Sequence, residues 1–122
     1  MKNKKTSESS VLRGVIQKLN FMQLTKEVVW YTRLNSGNFK VGIDGWVRGC
    51  AAGTPDIVVC IRHDLGARLL FLEVKGSRGK LRYEQQKFFK RMEGIRGVYC
   101  EMINDPSQLF DIIKKIREEV YV

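Results

Sequence analysis

GTPDIVVCIRHDLGARLLFLEVK, residues 53–75, is the stretch on which the fold turns. Ile57 to Ile61 and Leu69 to Leu72 are short apolar runs, the pattern of strands buried on both faces of a sheet. Between them Arg62 to Ala67, with His63-Asp64 and Gly66, reads as a hairpin loop. Side chains alternate along a strand, so Glu73 and Lys75 point the same way as Leu69 and Phe71. Asp56 stands at the mouth of the first run, directly after Pro55. A loop at 62–67 has its centre midway between residues 64 and 65, and Asp56 and Glu73 lie equally far from it. An antiparallel pair so centred places the two carboxylates opposite each other, where like charges repel.

Outward from the hairpin the chain keeps changing period. Val11, Leu12, Val15, Ile16, Leu19 and Met22 follow helical spacing behind Ser7, a helix-capping residue type. Val28 to Leu34 reads as a strand, then a loop at Asn35 to Asn38, then a Gly-rich ribbon from Phe39 to Ala52 holding Trp46 and Val47. After the hairpin, Leu81 to Met92 is helical, Gly97 to Met102 is a strand, and Asp105-Pro106 opens a last helix with Leu109, Ile112, Ile113 and Ile116 inward. This order predicts an α/β fold with a central mixed sheet flanked by helices. Residues 1–6 read as a disordered basic tail and 7–122 as one domain.

Charges set against a core are costly unless they are paired or coordinated. Two opposed carboxylates are an arrangement that a divalent cation repairs, and oxygen ligands of this kind suit Mg²⁺ or Mn²⁺. Lys75, on the same face, is placed to hold or help deprotonate an attacking water and to offset developing phosphate charge. Taken alone, Glu-x-Lys is a common surface pair and Pro-Asp a common turn; the combination is what points to chemistry. In the next helix Gln85 falls inside the apolar stripe of Leu81, Phe88, Phe89 and Met92, and Gln86 far outside it. Gln85 is therefore either a satisfied core glutamine or a group that orients water or lysine. Glu8 begins the first helix on the side of Leu12, Val15 and Leu19, where favourable interaction with the helix dipole is the simpler reading.

The 22 Lys and Arg against 13 Asp and Glu leave a net charge of +9, which favours a polyanionic partner. Seven basic residues and one acid lie between Lys75 and Arg91; Gly76 to Lys80 leaves the charged strand as a flexible loop whose Arg78 and Lys80 suit phosphate, and Arg82 follows at the start of the helix. Arg33-Leu34-Asn35-Ser36-Gly37 offers a guanidinium and small hydrogen-bonding groups, and equally fits a plain turn. Cys50, Cys60 and Cys100 are widely spaced, and His63 is the sole histidine. That excludes a disulfide framework and a Cys-x-x-Cys zinc site, leaves little for a nucleophilic triad, and fits reduced thiols in a cytoplasmic protein. No apolar run is long enough to cross a membrane, and no signal-peptide core follows the basic N-terminus.

Gly53-Thr54-Pro55-Asp56 followed by Glu73-Val74-Lys75 resembles the P-D…(D/E)-x-K signature of restriction-endonuclease-like nucleases. Within that superfamily the chain is most similar to the virus-type replication-repair nucleases (VRR-NUC). Glu8, Arg33-Leu34-Asn35-Ser36-Gly37, Gly53 to Asp56, Glu73 to Lys75 and Gln85 fit that pattern in order, from about residue 8 to 118. The proline often found before the helical glutamine is missing, since Glu84 precedes Gln85. The resemblance implies a restriction-endonuclease-like core and Mg²⁺ or Mn²⁺ held by Asp56, Glu73 and the backbone carbonyl of Val74, with Glu8 as a further candidate. It also implies a viral or bacterial protein, in a bacterial or phage-infected cell, that acts on DNA and in some members resolves Holliday junctions as a homodimer. The expected function is thus a structure-selective DNA endonuclease, a four-way-junction resolvase first and a flap- or end-trimming nuclease second. A silent DNA-binding module is the rival from another class, and it has no need of two opposed carboxylates.

Overall fold

In chain order the elements are α1 (Glu8–Leu24), β1 (Val28–Arg33), β2 (Asn38–Val41), β3 (Gly45–Arg48), β4 (Ile57–His63), β5 (Gly66–Val74), α2 (Tyr83–Met92), β6 (Val98–Ile103) and α3 (Gln108–Glu118). They come from a computed structural model that describes residues 5–35, 38–64 and 66–121. β1, β4, β5 and β6 form one sheet in that order, with β1 and β4 antiparallel, β4 and β5 antiparallel, and β5 and β6 parallel. β2 and β3 pair only with each other, as a two-stranded ribbon. The mixed sheet with flanking helices is the predicted architecture.

One face of the sheet is dry. Ile57, Val59 and Ile61 of β4, Leu70, Leu72 and Val74 of β5, and Ile103 of β6 meet Val11, Val15, Leu19 and Met22 of α1 and Leu109, Ile113 and Ile116 of α3. Those helix positions recur at three- and four-residue spacing, so each helix lays a single stripe on the sheet. The other face is only half covered, contrary to the expectation of strands buried on both sides. α2 is a ten-residue helix whose Phe88 ring meets Phe71 edge-on at 5.2 Å, and it leaves Trp30 and Leu69 exposed.

Several boundaries differ from the sequence reading by a residue or more, and three of the differences have a clear local cause. The hairpin loop is much shorter than 62–67: the strands run on to His63 and back from Gly66, whose positive φ of 138° suits a glycine in so tight a turn. The centre of the hairpin is unchanged, and so is the register. α2 starts at Tyr83 rather than Leu81, because Leu81 and Arg82 stay outside the helix as its entry. α3 starts at Gln108 rather than Pro106. Asp105 still anchors the start, its Oδ1 accepting from Ser107 N at 2.9 Å, but Asp105 and Pro106 form a tighter turn through Gln108 N to Asp105 O at 3.0 Å and Leu109 N to Pro106 O at 3.2 Å. The N-terminal side of α1 is fixed by Ser7, whose Oγ accepts from Ser10 N at 3.2 Å. Thr6, at the end of the expected tail, is clasped to the loop after β5, giving its O to Ser77 N and its N–H to Ser77 Oγ, both at 3.0 Å.

Candidate active site

The hairpin register pairs Ile57 with Leu72, and one step further brings Asp56 opposite Glu73. Asp56 Oδ2 accepts a hydrogen bond from Val74 N at 2.7 Å, which fixes its carboxylate at the end of β5. Lys75 N bonds to Ile103 O at 2.9 Å, toward β6, so the N–H and C=O of the preceding Val74 face β4. There the N–H meets Asp56, while Pro55, with no N–H of its own, offers the carbonyl no ladder donor. A side-chain acceptor and a free-edged carbonyl are thereby gathered at one corner.

Glu73 and Lys75 are only 3% and 6% exposed, and Lys75 Nζ stands 3.8 Å from Glu73 Oε1. That distance is an ion pair rather than a hydrogen bond. The Glu73 Oε2 atom is buried with no hydrogen-bond partner among the described residues. The Glu73 carboxyl lies opposite Asp56, and two acceptor-only groups form no bond unless one is protonated. Burial, and then the facing Asp56, push the Glu73 carboxyl up to about 8; Lys75 works in the opposite direction, and Glu8 adds to the rise. An acid that expensive to ionise, beside a second carboxylate, is short of positive charge.

Gln85 reaches this corner as its helix phase predicts. Its Nε2 donates to Glu73 Oε1 at 3.1 Å, and its Oε1 accepts from Arg82 N at 2.8 Å. One amide thus closes the first turn of α2 and holds the orientation of Glu73. Gln86 is exposed and turns back to Leu81 O at 3.1 Å. Two glycines make these approaches possible, Gly53 of the Gly-Thr-Pro-Asp motif and Gly79 of the basic loop. Gly53 has φ +88°, and a Cβ there would lie 2.4 Å from Glu84 O, so no side chain fits between Asp56's loop and α2. A Cβ on Gly79 would sit 2.7 Å from Lys75 Cβ, at the root of the lysine side chain. Gly79 gave no signal beyond that of a glycine in a loop, which turn chemistry explains equally well.

The other expected residues are spread more widely. Glu8 starts α1 at the same end of the sheet and bears on Glu73 electrostatically, but its side chain is exposed. Among the described residues no three His, Cys, Asp or Glu side chains form a ready metal cluster. Arg78, Lys80 and Arg82 are exposed on the stretch between Lys75 and α2. Arg33 lies opposite Ile57, so alternation turns it to the face of α1 and α3, away from Asp56 and Glu73. Asn35 is exposed and accepts from Cys50 N through its carbonyl at 2.6 Å; Ser36 lies outside the described residues. The structure therefore brings together Asp56, Glu73, Val74, Lys75 and Gln85, and sets the remaining candidates around that group.

Compared with known proteins, residues 43–104 match the VRR-NUC domain, just over half of the 122-residue chain. The match spans β3 through β6 and includes Asp56, Glu73, Lys75 and Gln85, while Glu8, Arg33 and Asn35 fall outside it. No curated protein and no solved structure matches the chain. With a half-open mixed sheet whose paired carboxylates and lysine lie inside the matched segment, the chain belongs to the VRR-NUC family of nucleases.

Proposed function

We propose that this protein is a divalent-metal-dependent, structure-selective DNA endonuclease that cuts branched DNA, a four-way junction foremost. The observation that carries the reading is Glu73 Oε2, buried and unpartnered on a carboxyl that lies opposite Asp56. A buried acceptor is normally satisfied, and a shared cation is the simplest partner for two facing carboxylates. Asp56, Glu73 and the Val74 carbonyl would hold Mg²⁺ or Mn²⁺, with Glu8 near enough to add charge. When bound, such an ion polarises a phosphate oxygen and stabilises the charge that develops on it.

The chain's own groups supply the rest. Lys75, held against Glu73 and packed on Gly79, presents its ammonium group where it can orient a water toward phosphorus and neutralise phosphate charge. Gln85 fixes Glu73 through Nε2, so the carboxylate keeps its aim. The water oxygen forms the new bond to phosphorus and gives up a proton to solvent, one ester P–O bond breaks, and the departing oxygen leaves with the electron pair and takes a proton from solvent. Arg78, Lys80 and Arg82 lie beside the site on the exposed basic stretch and suit the flanking phosphates. Paired cuts across a junction require two such sites, and a homodimer of this one-site chain supplies them.

Pure protein is to be incubated with labelled four-way junction, flap, duplex and single-stranded DNA, with Mg²⁺, Mn²⁺ or EDTA. The expected result is metal-dependent cutting of the junction well above duplex. Preferential cutting of flaps or ends would make the protein a trimming nuclease. Binding without cutting in every metal would make it a silent DNA-binding module.

A further inference from the structure

The β2–β3 ribbon stands apart from the sheet, yet both of its ends are fastened beside Asp56. Leu34 N bonds to Asp56 O at 2.7 Å, and Cys50 N bonds to Asn35 O at 2.6 Å. A two-stranded ribbon without a covering layer is only marginally stable in water. This one nevertheless exposes Trp46 at 68%, and Val41, Ile43 and Val47 are exposed as well. Its register pairs Lys40 with Trp46 and Asn38 with Arg48. Directly opposed residues share a face, and so do residues two apart, so Lys40, Trp46 and Arg48 form one side; Val41 and Val47 belong to the other.

We propose that this Lys40–Trp46–Arg48 face is a platform for an unpaired DNA nucleotide next to the cleavage site. An exposed indole between two cations suits a base that stacks while the adjoining phosphates meet Lys40 and Arg48. Bases inside a duplex are already stacked on each other, so the indole finds a free face only where pairing is interrupted. A second copy of the chain is the poorer occupant, because a two-fold contact would set Lys40 and Arg48 against their own counterparts. The ribbon thereby supplies preference for DNA with unpaired nucleotides, and the inference rests on the DNA-nuclease reading above.

The test is fluorescence anisotropy in EDTA, with labelled oligothymidine and an end-capped duplex, on the wild type, Trp46→Ala, Trp46→Phe and Val47→Thr. Trp46→Ala should weaken oligothymidine binding about tenfold and duplex binding by no more than about twofold, with Trp46→Phe recovering most of the loss. Val47→Thr alters the other face of the same ribbon and should leave both affinities unchanged. The inference is overturned by a wild type that does not bind oligothymidine, by unchanged oligothymidine affinity in Trp46→Ala, or by equal loss on both DNAs. It is also overturned if Val47→Thr matches Trp46→Ala, or if Trp46→Ala alters sedimentation and not DNA affinity. A wild type that binds oligothymidine through Trp46 and cuts nothing would instead refute the nuclease reading and leave this one standing.

Discussion

Strand β5 buries charge at both ends, and the two ends have opposite fates. Near the hairpin, Arg68 is 5% exposed, gives its Nη1 to Ile116 O of α3, and lies 4.3 Å from the centre of the Tyr121 ring. At the far end, on the other face, Glu73 is as deeply buried but leaves Oε2 without a partner and faces a like charge. Arg68 is a fastener: its charge is met by a carbonyl and an aromatic face, and it ties the last helix to the sheet. Glu73 is held in place by Gln85 and Lys75 without being satisfied by them. Buried charge by itself is thus no mark of an active site; the unsatisfied member of the pair is.

Mutations should separate the two ends, and the largest effect belongs to the site. Lys75→Ala is expected to lower single-turnover cleavage by about 10² to 10³-fold, as removal of a preorganised charge stabiliser does. DNA affinity should change little, because one lysine among 22 basic residues carries a small share of it. Near-normal cleavage, or binding lost in parallel, would break the distinction. Arg68→Ala should do the reverse. Loss of a charged hydrogen bond leaves Ile116 O unpaired, so unfolding in urea should show a stability loss of about 2 kcal/mol, with the turnover of folded protein unchanged. A turnover defect there would mean that the two ends are coupled.

A smaller effect sharpens the comparison within the site. Gln85→Ala should lower turnover about tenfold, since a positioned group worth about 1.4 kcal/mol in the transition state is lost. Gln86→Ala, whose amide only returns to Leu81 O, should leave turnover within about twofold. Single-turnover rates at saturating Mg²⁺ distinguish the two, and equal defects would remove Gln85 from the site.

Much of this site was legible in the sequence because it rests on local arithmetic. The hairpin centre between residues 64 and 65 fixed Asp56 against Glu73, and the longer loop expected at 62–67 did no harm because both strands grew equally. The phase of α2 likewise separated Gln85 from Gln86 without knowledge of what lay opposite. Arg68 was not legible as a fastener: its partners, Ile116 and Tyr121, lie about fifty residues later in the chain, and no local pattern announces them. Gly79 was equally silent, because its need to be small comes from the Lys75 side chain packing back on it. The half-open face was missed because apolar runs in β4 and β5 do not reveal how short the covering helix will be.

The central claim is that Glu73 Oε2 is left unpartnered for a cation, and one thermal measurement tests it. Melting temperatures are to be recorded for the wild type and Glu73→Gln, each in EDTA and in saturating Mn²⁺. In EDTA the two should melt close together, because the amide can donate to Asp56 but leaves the buried Lys75 without its ion-pair partner. In Mn²⁺ at about a hundred times its dissociation constant the wild type should gain about 2.7 kcal/mol, and the variant little or nothing, so the wild type pulls ahead. A wild type indifferent to Mn²⁺, or a variant stabilised by it just as much, would contradict the account.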